Sequence, residues 1–172
     1  MTDHMRKNTD DGKPADISYV AGGSRFKYRV CGIMLRGGKV LTVRDERSPY
    51  RYLPGGKVRL GETAEHAAVR EIEEELGITP RIVRPLWLNQ GFFSEDVDKL
   101  TYHELCVYFL LDISGTDLAE RGERFTLREE SHTLEFEWVA IERLKDEYFY
   151  PGFLKTEIAD LPELFPLRSE FE

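Results

Sequence analysis

The chain is short of cysteine, of long apolar runs and of positive charge. It holds two cysteines among 172 residues, Cys31 and Cys106. Neither belongs to a CxxC pair, and each sits in an apolar, strand-like run. Free buried thiols in a reducing, cytoplasmic setting therefore fit them better than a disulfide framework or a thiolate metal site. No apolar run approaches the ~20 residues that cross a bilayer. The longest candidate, residues 105–111, is strand length. The first residues lack an apolar h-region, so no secretory signal is expected. Lys and Arg number 24 against 32 Asp and Glu, a net charge of −8. Duplex nucleic acid needs a basic surface and is not an expected partner. A nucleotide remains admissible, because a bound cation can reverse the local sign.

What is present is globular in composition, 41% hydrophobic and 33% charged, with length enough for one domain and its core. Residues 1–24 are polar and read as a mobile leader, and residues 25–172 as a single domain without internal repeats. Residues 25–35 and 39–43 predict two strands joined at Gly37-Gly38 as a hairpin. A short strand is expected over 50–53, ended by Pro54-Gly55-Gly56. The spacing predicts a helix over 63–76, with Thr63 as its N-cap and Gly77 ending it in a left-handed conformation. Residues 81–93 and 100–113 are β-rich and expected to pair antiparallel. The charged stretch 117–128 reads as a loop, 133–139 as a last strand, and 141–146 and 152–161 as short helices. The expected class is α/β, a mixed sheet with helices packed on it.

The helix repays a physical reading. At ~100° per residue, Val69, Ile72 and Leu76 share a stripe that should face the sheet. Glu71, Glu74 and Glu75, spaced i, i+3, i+4, share another, with the small Ala67 and Ala68 one turn earlier. Like charges at this spacing repel by a few tenths of a kcal/mol per pair, roughly. Hard divalent cations seek such carboxylate oxygens, and Mg²⁺ is often held by one or two of them plus substrate phosphates. A solvated acidic face would have the same composition, and Glu73 and His66 are expected merely to be solvated. In the preceding loop, Gly55 and Gly56 permit close backbone approach, and Lys57 and Arg59 are placed to meet phosphate.

Loop and helix together read Gly56, Glu62, Arg70, Glu71, Ile72, Glu74, Glu75, Gly77 and Ile78. This resembles the Nudix box, G-x5-E-x7-R-E-U-x-E-E-x-G-U with U aliphatic, and no position departs from it. A chance match is on the order of one in a billion per window at average residue usage. The Leu53-Pro54-Gly55-Gly56 lead-in and the Phe136-Glu137-Trp138-Val139 strand also look like that family. The likeness extends over about residues 25–160.

The resemblance implies an α/β/α sandwich that hydrolyses a pyrophosphate linkage in a nucleoside diphosphate joined to a further group X. Water attacks phosphorus with the help of Mg²⁺ or Mn²⁺. By position in the motif, Glu71, Glu74 and Glu75 are the implied metal ligands, Arg70 orients a box glutamate, and Glu62 ties the loop to the helix or reaches the metal through water. Gly56 and Gly77 are conformational. Members often add an acid from outside the box as ligand or general base. Glu104 is the candidate, on the strand face shared with Tyr102, Cys106 and Tyr108. Glu135 and Glu137, expected on the solvent face, are rivals, and Glu75 itself can serve as base.

Outside the box, Arg29, Arg44 and Arg51 can grip phosphate or form surface ion pairs. Together with Lys57, Gly55, Gly56 and His103 they complete the expected substrate contacts. Phe92, Phe93, Trp87 and Tyr102 can stack on a base or fill the core. Family dimers suggest an interface at Leu86, Trp87 and Leu88. No Ser-Gln-Pro-Trp-Pro sequence of the NADH type follows Ile78. Phe93 stands where ADP-ribose members often place proline, and the tyrosine usual in members acting on dinucleoside polyphosphates is missing. The partner expected is thus a small nucleotide of unspecified X. A Nudix-fold module that binds a nucleotide without turnover is the alternative, although such a domain is expected to lose box glutamates.

Overall fold

A strand of thirteen residues, Ser24–Arg36 (β2), organises the molecule. From Val30 to Met34 every residue is buried, as befits a strand covered on both faces. The computed structural model describes residues 14–46, 48–94, 99–129 and 132–171. Around β2 lie β1 (Ser18–Ala21), β3 (Lys39–Asp45), β4 (Gly55–Lys57), β5 (Arg81–Ser94), β6 (Thr101–Asp112), β7 (Arg124–Glu129), β8 (His132–Ala140) and β9 (Leu167–Phe171), with helices α1 (Ala64–Leu76) and α2 (Leu154–Glu157). The sheet runs β7-β8-β3-β2-β6-β5-β9, and β1 and β4 also pair with β2. The β2–β6 pairing is parallel and the β5–β6 pairing antiparallel. Gly37 and Gly38 both have positive φ, 54° and 74°, as a tight hairpin turn between β2 and β3 requires.

Each face of the sheet has its own apolar layer. On one, Val30, Val107, Phe109 and Leu111 meet Ala67, Ala68, Ile72 and Leu76 of α1. On the other, Cys31, Ile33, Cys106 and Tyr108 are covered by Phe149, Phe153, Leu154 and Ile158 from the C-terminal segment. The result is an α/β/α sandwich. A buried side chain such as Ile72 contributes about 1.5–3 kcal/mol. The close seat of α1 depends on Gly32, where a Cβ would lie 2.5 Å from Leu111 Cδ1 and 3.2 Å from Ile72 Cδ1.

α1 spans almost the expected residues. The Thr63 hydroxyl accepts from the His66 N–H, and Gly77 closes the helix at φ 66°, donating its N–H to the Glu73 carbonyl. Its buried stripe differs from expectation. Ala67 and Ala68 are in the core, and Val69 is only half-buried. The small residues thus let the helix approach the sheet and do not make room for a ligand.

Other expectations shift as well. Residues 1–13 of the expected leader lie outside the described residues, but Ser18–Ala21 pairs antiparallel with Ser24–Lys27, closed by the Gly22-Gly23 turn. The expected strand 50–53 reduces to two isolated bridges, Val43 with Tyr52 and Arg51 with Phe149, and the pairing with β2 is made by β4 just after it. Within the expected loop 117–128, a 3-10 turn at Asp117–Arg121 precedes β7, whose Phe125 and Leu127 pack on the α1 layer. The expected helix 152–161 shortens to α2, and β9 follows it. Leu86 and Trp87, expected at a dimer interface, are 0% and 1% exposed in the core, which removes them from any surface. Among the described residues no helix is long and apolar enough to cross a membrane.

Candidate active site

Two glycines let the loop lie against β2 and α1. A Cβ on Gly55 would sit 2.2 Å from the Val30 carbonyl oxygen, and φ there is 148°. A Cβ on Gly56 would sit 2.0 Å from Glu71 Oε2, so the carboxylate occupies the space a side chain would need. Glu71 is brought there by its place on the flank of the buried stripe of α1. Burial pushes its carboxyl above the usual range, opposed by hydrogen bonding from Arg70. One turn later, Glu75 Oε2 accepts the Gly55 N–H at 3.2 Å.

Arg70 fastens helix to loop. It donates to both oxygens of Glu62 at 2.7 and 2.9 Å, to the Lys57 carbonyl at 2.9 Å, to Glu71 Oε1 at 2.6 Å and to Glu74 Oε2 at 3.1 Å. Glu62 also accepts the Arg59 N–H at 3.0 Å. The bidentate geometry is the strong form of a charge-assisted pair. It holds the Glu62 carboxyl below its usual range and raises Arg70.

Glu104 lies opposite Gly91 on β5 and Lys27 on β2. Its Oε2 is 3.6 Å from Arg29 Nη1, and Arg29 Nη2 donates to the Gly55 carbonyl at 3.4 Å. Burial is the largest single influence on the Arg29 guanidinium and lowers it, but Glu104, Cys31, Cys106 and Tyr108 together raise it by more, and the net shift is upward. Gly55 is therefore held on both sides, its N–H by Glu75 and its carbonyl by Arg29. Neither contact is legible in the sequence, since the two partners come from elements 20 and 26 residues away.

Several expected contacts fall elsewhere. His103 points to the opposite face from Glu104, stacked on Phe92 with centroids 4.4 Å apart. Arg51 is 8% exposed and ion-paired to Glu137 and, at 3.2 Å, to Glu135. Glu137 is thus a half-buried partner of Arg51 and Arg124, not a freely solvated residue. Arg44 joins the same network through Glu135 at 3.1 Å. Lys57 pairs with Asp16 at 2.7 Å and Arg59 with Glu74 at 3.3 Å. Trp87 is core, while Phe93 and Tyr102 stack on each other at 5.0 Å. A cavity of about 230 Å³ lies beyond the far ends of β2 and β6, lined by Leu35, Arg36 and Asp112 among others, and by no box residue.

Among the described residues no three acids, imidazoles or thiols converge into a ready coordination shell. Glu71 and Glu74 lean on Arg70, and Glu75 on Gly55. The donor set nonetheless suits a hard cation, because Mg²⁺ takes one or two carboxylates and completes its shell with water and phosphate.

Comparison with known proteins decides the family. The NUDIX domain model matches residues 25–156. The chain belongs to the Nudix family. It is 36% identical over 106 residues to the ADP-ribose pyrophosphatase of Methanocaldococcus jannaschii, covering 57% of this chain and 60% of that protein. It is 64% identical over 28 residues to the 8-oxo-dGTP diphosphatase of Escherichia coli, 16% of this chain and 22% of that one. The matched part thus spans less than two thirds of either relative. Two solved structures share the fold. The MutT protein from Bacillus halodurans has TM-score 0.53 at 18% identity, covering 74% of this chain and 77% of that one. A NUDIX hydrolase from Nitrosomonas europaea has TM-score 0.53 at 16% identity, with coverage of 78% and 86%.

Proposed function

We propose that this Nudix domain hydrolyses a pyrophosphate linkage in a nucleoside diphosphate derivative, with a divalent cation held at the box. The observation that carries the reading is the seat of Glu71 over Gly56, beside a Glu75 fixed by the Gly55 N–H. Such a seat has no purpose in packing, since it places a half-buried carboxylate against bare backbone at a desolvation cost. Glu71 and Glu75 would hold the cation, with Glu74 beside them. Bound there, Mg²⁺ or Mn²⁺ would polarise phosphate oxygens and lower the pKa of a water. Arg29, at the loop carbonyl, is the side chain best placed to neutralise phosphate charge, and Glu104 positions it. Arg70 and Glu62 keep loop and helix in register.

The test is turnover of a panel of nucleoside diphosphate derivatives with Mg²⁺ or Mn²⁺. ADP-ribose and 8-oxo-dGTP are the first members, taken from the names of the relatives. Glu75→Gln is expected to lower kcat by roughly 10²–10⁴-fold, with an unchanged circular-dichroism spectrum. Full activity in that variant would remove the box from the chemistry. Tight nucleotide binding without phosphate release in the parent protein would make it a binding module instead.

A further inference from the structure

Cys31 and Cys106 are free thiols, 5% and 1% exposed, and their sulfurs are 3.6 Å apart. They lie on the parallel strands β2 and β6, pointing to the same face of the sheet. The register sets Cys31 opposite Tyr108 and Arg29 opposite Cys106, so the two cysteines are diagonal neighbours. No step of the proposed hydrolysis uses them. Two thiols in contact are nevertheless a two-electron reductant, and their place in the sheet is specific. Cys31 is two residues from Arg29 and Cys106 two residues from Glu104, all on one face. Cys31 also pairs with Gly55 across β2 and β4, and its Cα is 2.8 Å from the position a Gly55 Cβ would take.

We infer that Cys31 and Cys106 form a peroxide-oxidised disulfide that distorts the Gly55 seat and weakens cation binding at Glu71 and Glu75. Cys31, the more exposed of the two, attacks a peroxide oxygen. The O–O bond breaks, one water leaves and Cys31 becomes a sulfenic acid. The Cys106 sulfur then attacks the Cys31 sulfur, the S–O bond breaks and a second water leaves. Two electrons pass from the sulfur pair to one peroxide, and the two thiol protons end in the two waters.

Bond formation brings the sulfurs to about 2.05 Å, a closure of roughly 1.5 Å. Diagonal neighbours in a sheet stand roughly 7–8 Å apart, at or beyond the ~7 Å between Cα atoms that a disulfide bridges without backbone movement, so the strands adjust as the bond closes. The strands that adjust carry Arg29 and Glu104, and the edge that follows Cys31 is Gly55, whose N–H holds Glu75. The path from sulfur to carboxylate is therefore one of direct contacts, as coupling between sites requires. The link to turnover and the effect on a bound cation rest on the proposed function, whereas the disulfide itself does not.

The experiment treats the full-length reduced protein with hydrogen peroxide, then removes the oxidant. Intact mass, thiol titration in denaturant and Mn²⁺ affinity by calorimetry are measured before and after dithiothreitol. The expected result is a monomer lighter by two hydrogens, loss of both thiols, a several-fold weaker Mn²⁺ affinity, and full reversal by dithiothreitol. Cys31→Ala and Cys106→Ala each keep the parent Mn²⁺ affinity under peroxide. Using both variants covers the case in which one fails to fold. Addition of oxygen atoms to one cysteine, a disulfide between two chains, or an intramolecular disulfide with unchanged Mn²⁺ affinity would each overturn the inference. A protein that turns over no nucleotide but still shows the reversible change in affinity would overturn the proposed hydrolysis and leave the dithiol standing.

Discussion

At the scale of single residues, the site depends on where atoms are missing as much as on where they are present. Gly56 is the clearest case, since its absent Cβ is the volume that Glu71 fills. Gly56→Ala pushes that carboxylate away. It should lower Mn²⁺ affinity and turnover at least about tenfold, or roughly 1.4 kcal/mol, while the fold, read by circular dichroism, survives. The companion residue is Glu62, whose carboxyl lies below its usual range because Arg70 grips both oxygens. A depressed acid contributes stability above its unfolded pKa of about 4.3 and loses it as pH falls through the folded value. Glu62→Gln should therefore melt below the parent protein at neutral pH, and the gap should close as pH drops below about 4. A gap that stays constant with pH would mean the pair contributes through packing alone. Glu71 has the opposite sign. Burial raises its carboxyl, so ionising it as pH rises costs stability until a cation offsets the charge.

At the scale of elements, α1 carries the proposed cation ligands on its flank and takes its place from its buried side. Its apolar stripe is fixed by Ala67, Ala68, Ile72 and Leu76, and its ends by Thr63 and Gly77. Ile72→Ala should cost about 2–5 kcal/mol and Thr63→Ala about 1 kcal/mol. A protein of this size loses roughly 2–4 °C of Tm per kcal/mol, so thermal melts should rank the two substitutions in that order. Mn²⁺ affinity should fall further in Ile72→Ala, because the cavity lets the helix shift against β4. Equal affinities in both variants would separate the packing of α1 from the site. The same element shows why burial periodicity was only partly legible. Alanines are neutral in a hydrophobic pattern, and their role in bringing helix and sheet close became visible only with Gly32 beneath them.

At the scale of the whole molecule, the proposed function requires a chain of net charge −8 to receive an anionic substrate. A bound cation supplies part of the answer and should stabilise the fold by mass action, about 2.7 kcal/mol at a hundredfold excess over Kd. Mn²⁺ is thus expected to raise Tm by several degrees at neutral pH, and by less near pH 5, where the buried Glu71 carboxyl retains more of its proton. No rise at either pH would remove the cation from the box. The sequence by itself determined the box, the capped helix, the hairpin and the family, because these depend on local spacing, turn chemistry and residue identity along one short stretch. Only the tertiary structure decided what that stretch rests on. It paired Glu104 with Arg29, turned His103 to the other face, tied Arg51 to Glu137 and set two cysteines against each other beneath the loop. Such pairings join residues tens of positions apart, and sheet register, which no local pattern fixes, determines which of them meet.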